Sequence, residues 1–166
     1  MNKYYTGIGS RKTPEDICKQ MTAIAGILEI EDYILRSGHA DGADMAFENG
    51  VISEDYKEIY LPWKGFNGST SKLYTQSDKA MESVYDYHPY ASKLSKPVKK
   101  LMARNFHQVL GVDNNTPSDF IIYWTPSIAD MGGTGQAIRI ATDLGIPTYN
   151  LLTYSMDQVL DIILGD

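Results

Sequence analysis

Cysteine is nearly absent from this chain. Cys18 is the one thiol in 166 residues, which excludes an intramolecular disulfide and a cysteine-based zinc site. Long apolar runs are missing too. None approaches the roughly 18 residues of a membrane span, and the first residues lack the apolar core of a signal peptide. No membrane contact is expected, and the expected setting is the cytoplasm. Positive charge is in deficit, 15 Lys and Arg against 21 Asp and Glu, for a net charge of −6. Affinity for nucleic acid comes largely from phosphate neutralisation, so this balance argues against a general nucleic-acid binder. Histidine is scarce, and His39, His88 and His107 show no metal-ligand spacing. Neither a metal nor a cofactor is expected. No Gly-x-Ser-x-Gly elbow occurs, and no Gly-Lys-Ser/Thr ending of a P-loop. Repeats, low-complexity tracts and long linkers are also missing, so residues 1–166 are expected to form a single domain with a sizeable core.

What is present is an alternation. Residues 3–8, 33–36, 58–61, 120–124 and 147–151 read as strands, and 120–124, apolar throughout, reads as a central parallel strand covered on both faces. Helical periodicity follows each of the first two. After the first strand, Thr13 is the expected N-cap, with Pro14 at the first helical position. Ile17, Met21, Ile24 and Leu28 then recur at helical spacing, and Cys18 beside them reads as a small core residue. Helices are further expected from Asp41 or Gly42 to about residue 50, over 77–85, from 96 or 97 to 110 with Val98, Leu101, Met102 and Val109 buried, and over 136–144. A last helix is capped by Ser155. Strands alternating with helices mean right-handed βαβ units and a parallel sheet. The expected fold is α/β, a Rossmann-like three-layer sandwich.

Three glycine-bearing stretches lie at strand ends: Gly7-Ile8-Gly9-Ser10-Arg11, Ser37-Gly38-His39-Ala40-Asp41-Gly42-Ala43-Asp44 and Gly132-Gly133-Thr134-Gly135-Gln136. Ligands of open α/β sheets bind beyond the carboxyl ends of the strands. Bare backbone at a helix N-terminus holds phosphate. Together the three loops predict one nucleotide-sized pocket. Hydroxyls and amides there suit phosphate, and carboxylates suit ribose hydroxyls. The first loop is not a dinucleotide fingerprint, because Lys12 stands where the third glycine belongs.

With Leu61-Pro62-Trp63 after the third strand and Arg104-Asn105 on a later helix, the order of motifs resembles the SLOG superfamily of Rossmann-like domains. That group includes the DprA/Smf DNA-processing proteins and the LOG phosphoribohydrolases, and the chain looks most similar to the stand-alone DprA-like members. The resemblance implies that Gly9, Ser10 and Arg11 border a ligand pocket. Ser37, Gly38, Asp41, Gly42 and Asp44 would form a second wall, and His39, inside the same loop, is placed to contact a ligand phosphate. Arg104 and Asn105 would reach in from their helix, and Gly132, Gly133 and Thr134 would hold phosphate.

The implied function is binding of a nucleotide or nucleotide derivative, signalling nucleotides included. A LOG-like reading makes the chain an enzyme that hydrolyses a nucleotide's N-glycosidic bond, with Asp44 and Arg104 as candidate catalytic residues. It departs from the LOG pattern, since Met131 replaces the proline, Gln136 the threonine, and Ile138 and Arg139 the acidic residues. Asp41, Asp44 or Asp130 would have to serve instead. A DprA-like reading makes it a single-stranded DNA mediator, which needs a basic groove with stacking aromatics. Lys93, Lys96, Lys99, Lys100 and Arg104, with Tyr85, Tyr87 and Tyr90, are the material for one. A solvated helix face and aromatic packing over the core are the ordinary readings of those two groups. The resemblance also implies a homodimer.

Overall fold

The computed structural model describes residues 1–127 and 132–165. Five parallel strands, β1 (Lys3–Gly7), β2 (Tyr33–Ser37), β3 (Lys57–Ile59), β4 (Phe120–Tyr123) and β5 (Thr148–Asn150), form one sheet in the order β3-β2-β1-β4-β5. The helices are α1 (Glu15–Ile30), α2 (Ala43–Gly50), α3 (Asp78–Tyr87), α4 (Lys96–Leu110), α5 (Gly133–Asp143) and α6 (Met156–Leu164). This is the α/β three-layer sandwich that the alternation predicts.

Side chains on a strand alternate between faces, and the sheet accordingly divides two cores. On one face Tyr5, Leu35, Phe120 and Ile122 pack with Met21, Ile24 and Leu28 of α1, Phe47 of α2 and Val159 of α6. On the other, Ile121 packs with Val84 of α3, Ala103, Phe106 and Val109 of α4, and Ala137 and Ile140 of α5. The uniformly apolar β4 is needed because both its faces are covered. Polar strand residues on the second face are paired. Thr6 donates its hydroxyl to the Gln108 carbonyl at 2.6 Å and lies 2.8 Å from Ser118 Oγ. Arg36, 2% exposed, donates from Nε to Glu58 at 3.1 Å and stacks 3.9 Å from the Tyr4 ring centroid.

Several boundaries differ from the sequence reading. Thr13 does not cap α1. Pro14, in extended conformation, occupies the cap, and the Thr13 hydroxyl instead donates to the Ser10 carbonyl at 2.6 Å. α3 runs to Tyr87, with Ser77 as its N-cap. α5 begins at Gly133 rather than Gln136, so two of its glycines lie within its first turn. Val98 and Leu101 are only half-buried, whereas Met102 and Val109 are buried. Tyr85 and Tyr90 do not pack over the core, being 58% and 55% exposed. Tyr87 reaches across to donate its hydroxyl to Asp143 at 2.5 Å.

Candidate functional site

β1 is flanked by β2 on one side and β4 on the other. The chain leaves these neighbours in opposite directions, which opens a crevice at the carboxyl ends of the strands. The loop after β1 crosses this crevice. Its Ser10 N–H donates to the Trp124 carbonyl at 3.1 Å, and its Ser10 carbonyl accepts from Ala43 at 3.4 Å. The loop after β2 therefore passes directly against the loop after β1. Gly42 makes the crossing possible: its φ is +80°, and a Cβ there would sit 2.6 Å from the Ser10 carbonyl oxygen. Neither the dihedral nor the space suits any other residue.

A cavity of about 490 Å³ fills the crevice. That is within the usual range for small-molecule sites, about 300–1,000 Å³. Its polar lining comes from Ser10, Arg11 and Lys12 after β1, Asp41 and Asp44 after β2, and Gly132, Gly133 and Thr134 at the start of α5. Its apolar lining comes from Ile8, from Phe66 after β3, and from Val98, Leu101 and Met102 of α4. The first turn of a helix carries N–H groups that have no partner inside the helix. At α5 this turn opens on the cavity, and glycine at its N-cap brings no side chain to cover it.

Arg104 and Asn105 hold the walls together. Arg104 is 5% exposed. Its Nη1 donates to the carbonyls of Gly38 at 2.7 Å and Tyr60 at 3.0 Å, and its Nε donates to Asn105 Oδ1 at 3.0 Å. Asn105 Nδ2 in turn donates to the Gly133 carbonyl at 2.9 Å. One side-chain chain thus connects the ends of β2 and β3 to the first residue of α5. Gly38 must stay small, since a Cβ there would lie 2.6 Å from Arg104 Nη1. Among the described residues no carboxylate oxygen lies within 4.0 Å of Arg104, Arg11 or Lys12.

Asp44 is 5% exposed and accepts from the Ala40 N–H at 3.3 Å. Burial pushes its carboxyl up to about 6, against the opposing charge of Arg104. Burial likewise lowers the guanidinium of Arg104, and Asp44 works in the other direction. The two groups share one low-dielectric region, and neither is fully compensated by the other.

Of the residues singled out from the sequence, Gly9, Ser10, Arg11, Asp41, Asp44, Arg104, Asn105, Gly132, Gly133 and Thr134 line the cavity. The others sit behind it. Ser37 donates its hydroxyl to the Gly7 carbonyl at 2.6 Å. Gly38 backs Arg104, and Gly42 forms the loop crossing. His39, with φ +59°, turns its ring to Glu48 at 2.9 Å. Asp130 and Met131 lie outside the described residues. Phe66, Asn67 and Gln108 also line the cavity and carry no local signal, although Gln108 lies one helical turn from Arg104 and so shares its face. His88 and His107 are buried away from the cavity; His107 stacks on Tyr60 and contacts Asn114 at 3.0 Å. Among the described residues no group of three or more His, Cys, Asp or Glu is placed to hold a metal ion.

Arg104 separates from the basic cluster by turning inward. Of the lysines, Lys99 sits 5.2 Å from the Tyr85 ring centroid and Lys93 sits 6.0 Å from that of Tyr90. Among the described residues no helix is long and apolar enough to cross a membrane.

No family model and no curated protein matches the chain. Among solved structures, the chain is similar to DNA processing protein A from Helicobacter pylori, described for its single-stranded DNA binding mode. The two are 11% identical, with a TM-score of 0.46 over 98% of this chain and 80% of that one. A likeness this distant carries nothing about ligand or activity.

Proposed function

We propose that the chain binds a nucleotide or a nucleotide-derived ligand in the crevice between β1 and β4. Phosphate sits at the N-terminus of α5, with Ser10, Arg11 and Lys12 as further donors. The base takes the apolar wall of Phe66, Val98, Leu101 and Met102, and Asp41 or Asp44 takes ribose hydroxyls. The observation that carries this reading is Arg104. It is a guanidinium buried to 5% exposure with, among the described residues, no carboxylate oxygen within 4.0 Å, on the same cavity as the N-terminus of α5. A buried cation with no carboxylate in contact is costly even when hydrogen-bonded, and an anionic ligand offsets that cost.

Calorimetry with mono-, di- and cyclic nucleotides and ADP-ribose tests the reading. Binding is expected for at least one class, weakened tenfold or more by Arg104→Gln. No heat across the whole panel would overturn it.

Asp44 favours a second reading, hydrolysis of a nucleotide's N-glycosidic bond. A carboxyl near 6 that lines the cavity is poised as a general acid at neutral pH. Water would attack the anomeric carbon, and the carbon–nitrogen bond would break with its electron pair going to the base. The departing base would take the proton from Asp44, and the proton lost by the attacking water would return to the Asp44 carboxylate. Free base released from nucleoside monophosphates, and lost in Asp44→Asn, supports this reading; intact substrate after prolonged incubation refutes it. For single-stranded DNA, the support is the pairing of exposed Tyr85 and Tyr90 with Lys99 and Lys93. A salt-sensitive gel shift abolished by Lys99→Glu with Lys100→Glu is the corresponding expectation.

A further inference from the structure

Gln108 is 1% exposed and lines the cavity beside Arg104. Among the described residues neither its Oε1 nor its Nε2 has a hydrogen-bond partner. Its backbone is fully engaged in the fold, with the carbonyl accepting from Thr6, so the amide contributes nothing to that contact. A buried, unpaired carboxamide is unfavourable, and methionine or leucine would occupy a similar volume without the penalty. The surrounding side chains do not explain the amide. Gly38, which presses against Nε2, leaves room for it but offers no partner. Arg104, on the preceding turn, uses Nε and Nη1 for Asn105, Gly38 and Tyr60.

We infer that Gln108 is the residue that selects the ligand's base, pairing its acceptor and donor with a heterocycle edge that carries an adjacent donor and acceptor. This rests on the nucleotide reading above. A carboxamide matches such an edge in two parallel hydrogen bonds, as glutamine does with the amine and ring nitrogen of adenine. Phe66, Leu101 and Met102, on the same cavity, supply apolar surface for the flat faces of the ring. Sites whose buried polar groups are left unpaired by the wrong ligand discriminate strongly against it. The unmet amide is therefore a selectivity device, and the ligand completes it.

The test is a ligand series on the unmodified protein, read by calorimetry. The probes are adenosine 5′-monophosphate, the purine riboside 5′-monophosphate that lacks the exocyclic amine, and ribose 5-phosphate, which lacks a base. A preference of tenfold or more for the adenosine compound over the purine compound is expected. In Gln108→Met the two should converge while ribose 5-phosphate is unaffected, and the melting temperature of the ligand-free protein should rise. Equal affinities in the unmodified protein overturn the inference without touching the phosphate cradle. So does a Gln108→Met protein that keeps the preference and melts lower, which would make the amide structural. Failure of all three compounds, with another member of the nucleotide panel still binding, overturns the inference alone; no heat across the whole panel removes the nucleotide reading, and the inference with it.

Discussion

Asp44→Asn should make the protein more stable, and only above a particular pH. The carboxyl rises from its ordinary 3.8 to about 6 on folding, mainly through burial. Each pH unit of displacement is worth about 1.4 kcal/mol, so ionised Asp44 costs the folded state about 3 kcal/mol. The sign follows from proton binding. Below 3.8 both states are protonated and nothing is lost. Between 3.8 and about 6 the unfolded chain releases the proton while the folded chain keeps it, so stability falls as pH rises. Above about 6 the loss is complete. Asparagine has the shape of the neutral acid, and its Oδ1 still accepts from the Ala40 N–H, so the variant avoids the loss. Urea unfolding of both proteins from pH 3.5 to 8 reports chiefly on this group, because carboxylates that do not interact with it cancel in the difference and Glu48, which does, is a lesser cause of its shift than burial. The variant should match the parent near pH 3.5 and exceed it by about 3 kcal/mol at pH 7.5, or about 6–12 °C in Tm for a chain of this size. A difference that is flat with pH, or a variant less stable at pH 7.5, would refute the reasoning.

Other substitutions separate the site from its scaffold. Gly42→Ala combines a left-handed φ with a clash on the Ser10 carbonyl; a loss of about 2 kcal/mol or more in urea melts is expected, together with loss of ligand heat. Tyr5→Phe removes a fully buried hydroxyl that has no hydrogen-bond partner. Its thermal melt should be unchanged or shifted upward, by up to about 1 kcal/mol, and a clear destabilisation would show that the hydroxyl is satisfied in solution. Ser155→Ala breaks the capping box of α6 and should cost about 1 kcal/mol while leaving ligand affinity intact, since α6 takes no part in the cavity.

Much of the architecture was readable because burial on both faces leaves a composition signature: 120–124 is apolar at every position, and the observed β4 lies within it. The glycine loops were readable as a group because only strand ends need them there. Their division of labour was not. Gly38 and Gly42 stand in the same stretch as Asp41 and Asp44, yet they act through close packing and never reach the cavity, a distinction that depends on backbone crossings far apart in sequence. Phe66 sits in a turn-rich segment with no periodicity and reaches the cavity only through the fold. The sequence pattern starts α5 at Gln136, later than the observed Gly133, because Gly133 reads as loop, although a first turn tolerates glycine where N–H groups lack helical partners. Composition alone makes Arg104 one cation in a basic run, and only the resemblance, through Asn105 beside it, has it reaching into the pocket; its position on the face shared with Leu101, Asn105 and Gln108 is what turns it inward.

The pairing of β1 with β4 also sets an order of events in time. The Tyr4 N–H bonds to Asp119, 115 residues further along the chain. At a synthesis rate of about 5–20 residues per second, the central strand waits roughly 6–23 s for its second neighbour. In that interval β1 to β3, with α1 and α2, can assemble, but one edge of β1 stays open, a template for pairing with another nascent chain. The crevice has no second wall until β4 docks and α5 follows. The crevice is thus completed only after α5, with β5 and α6 alone still to be added, so a molecule that bound there would act on a nearly finished fold and not on its early assembly.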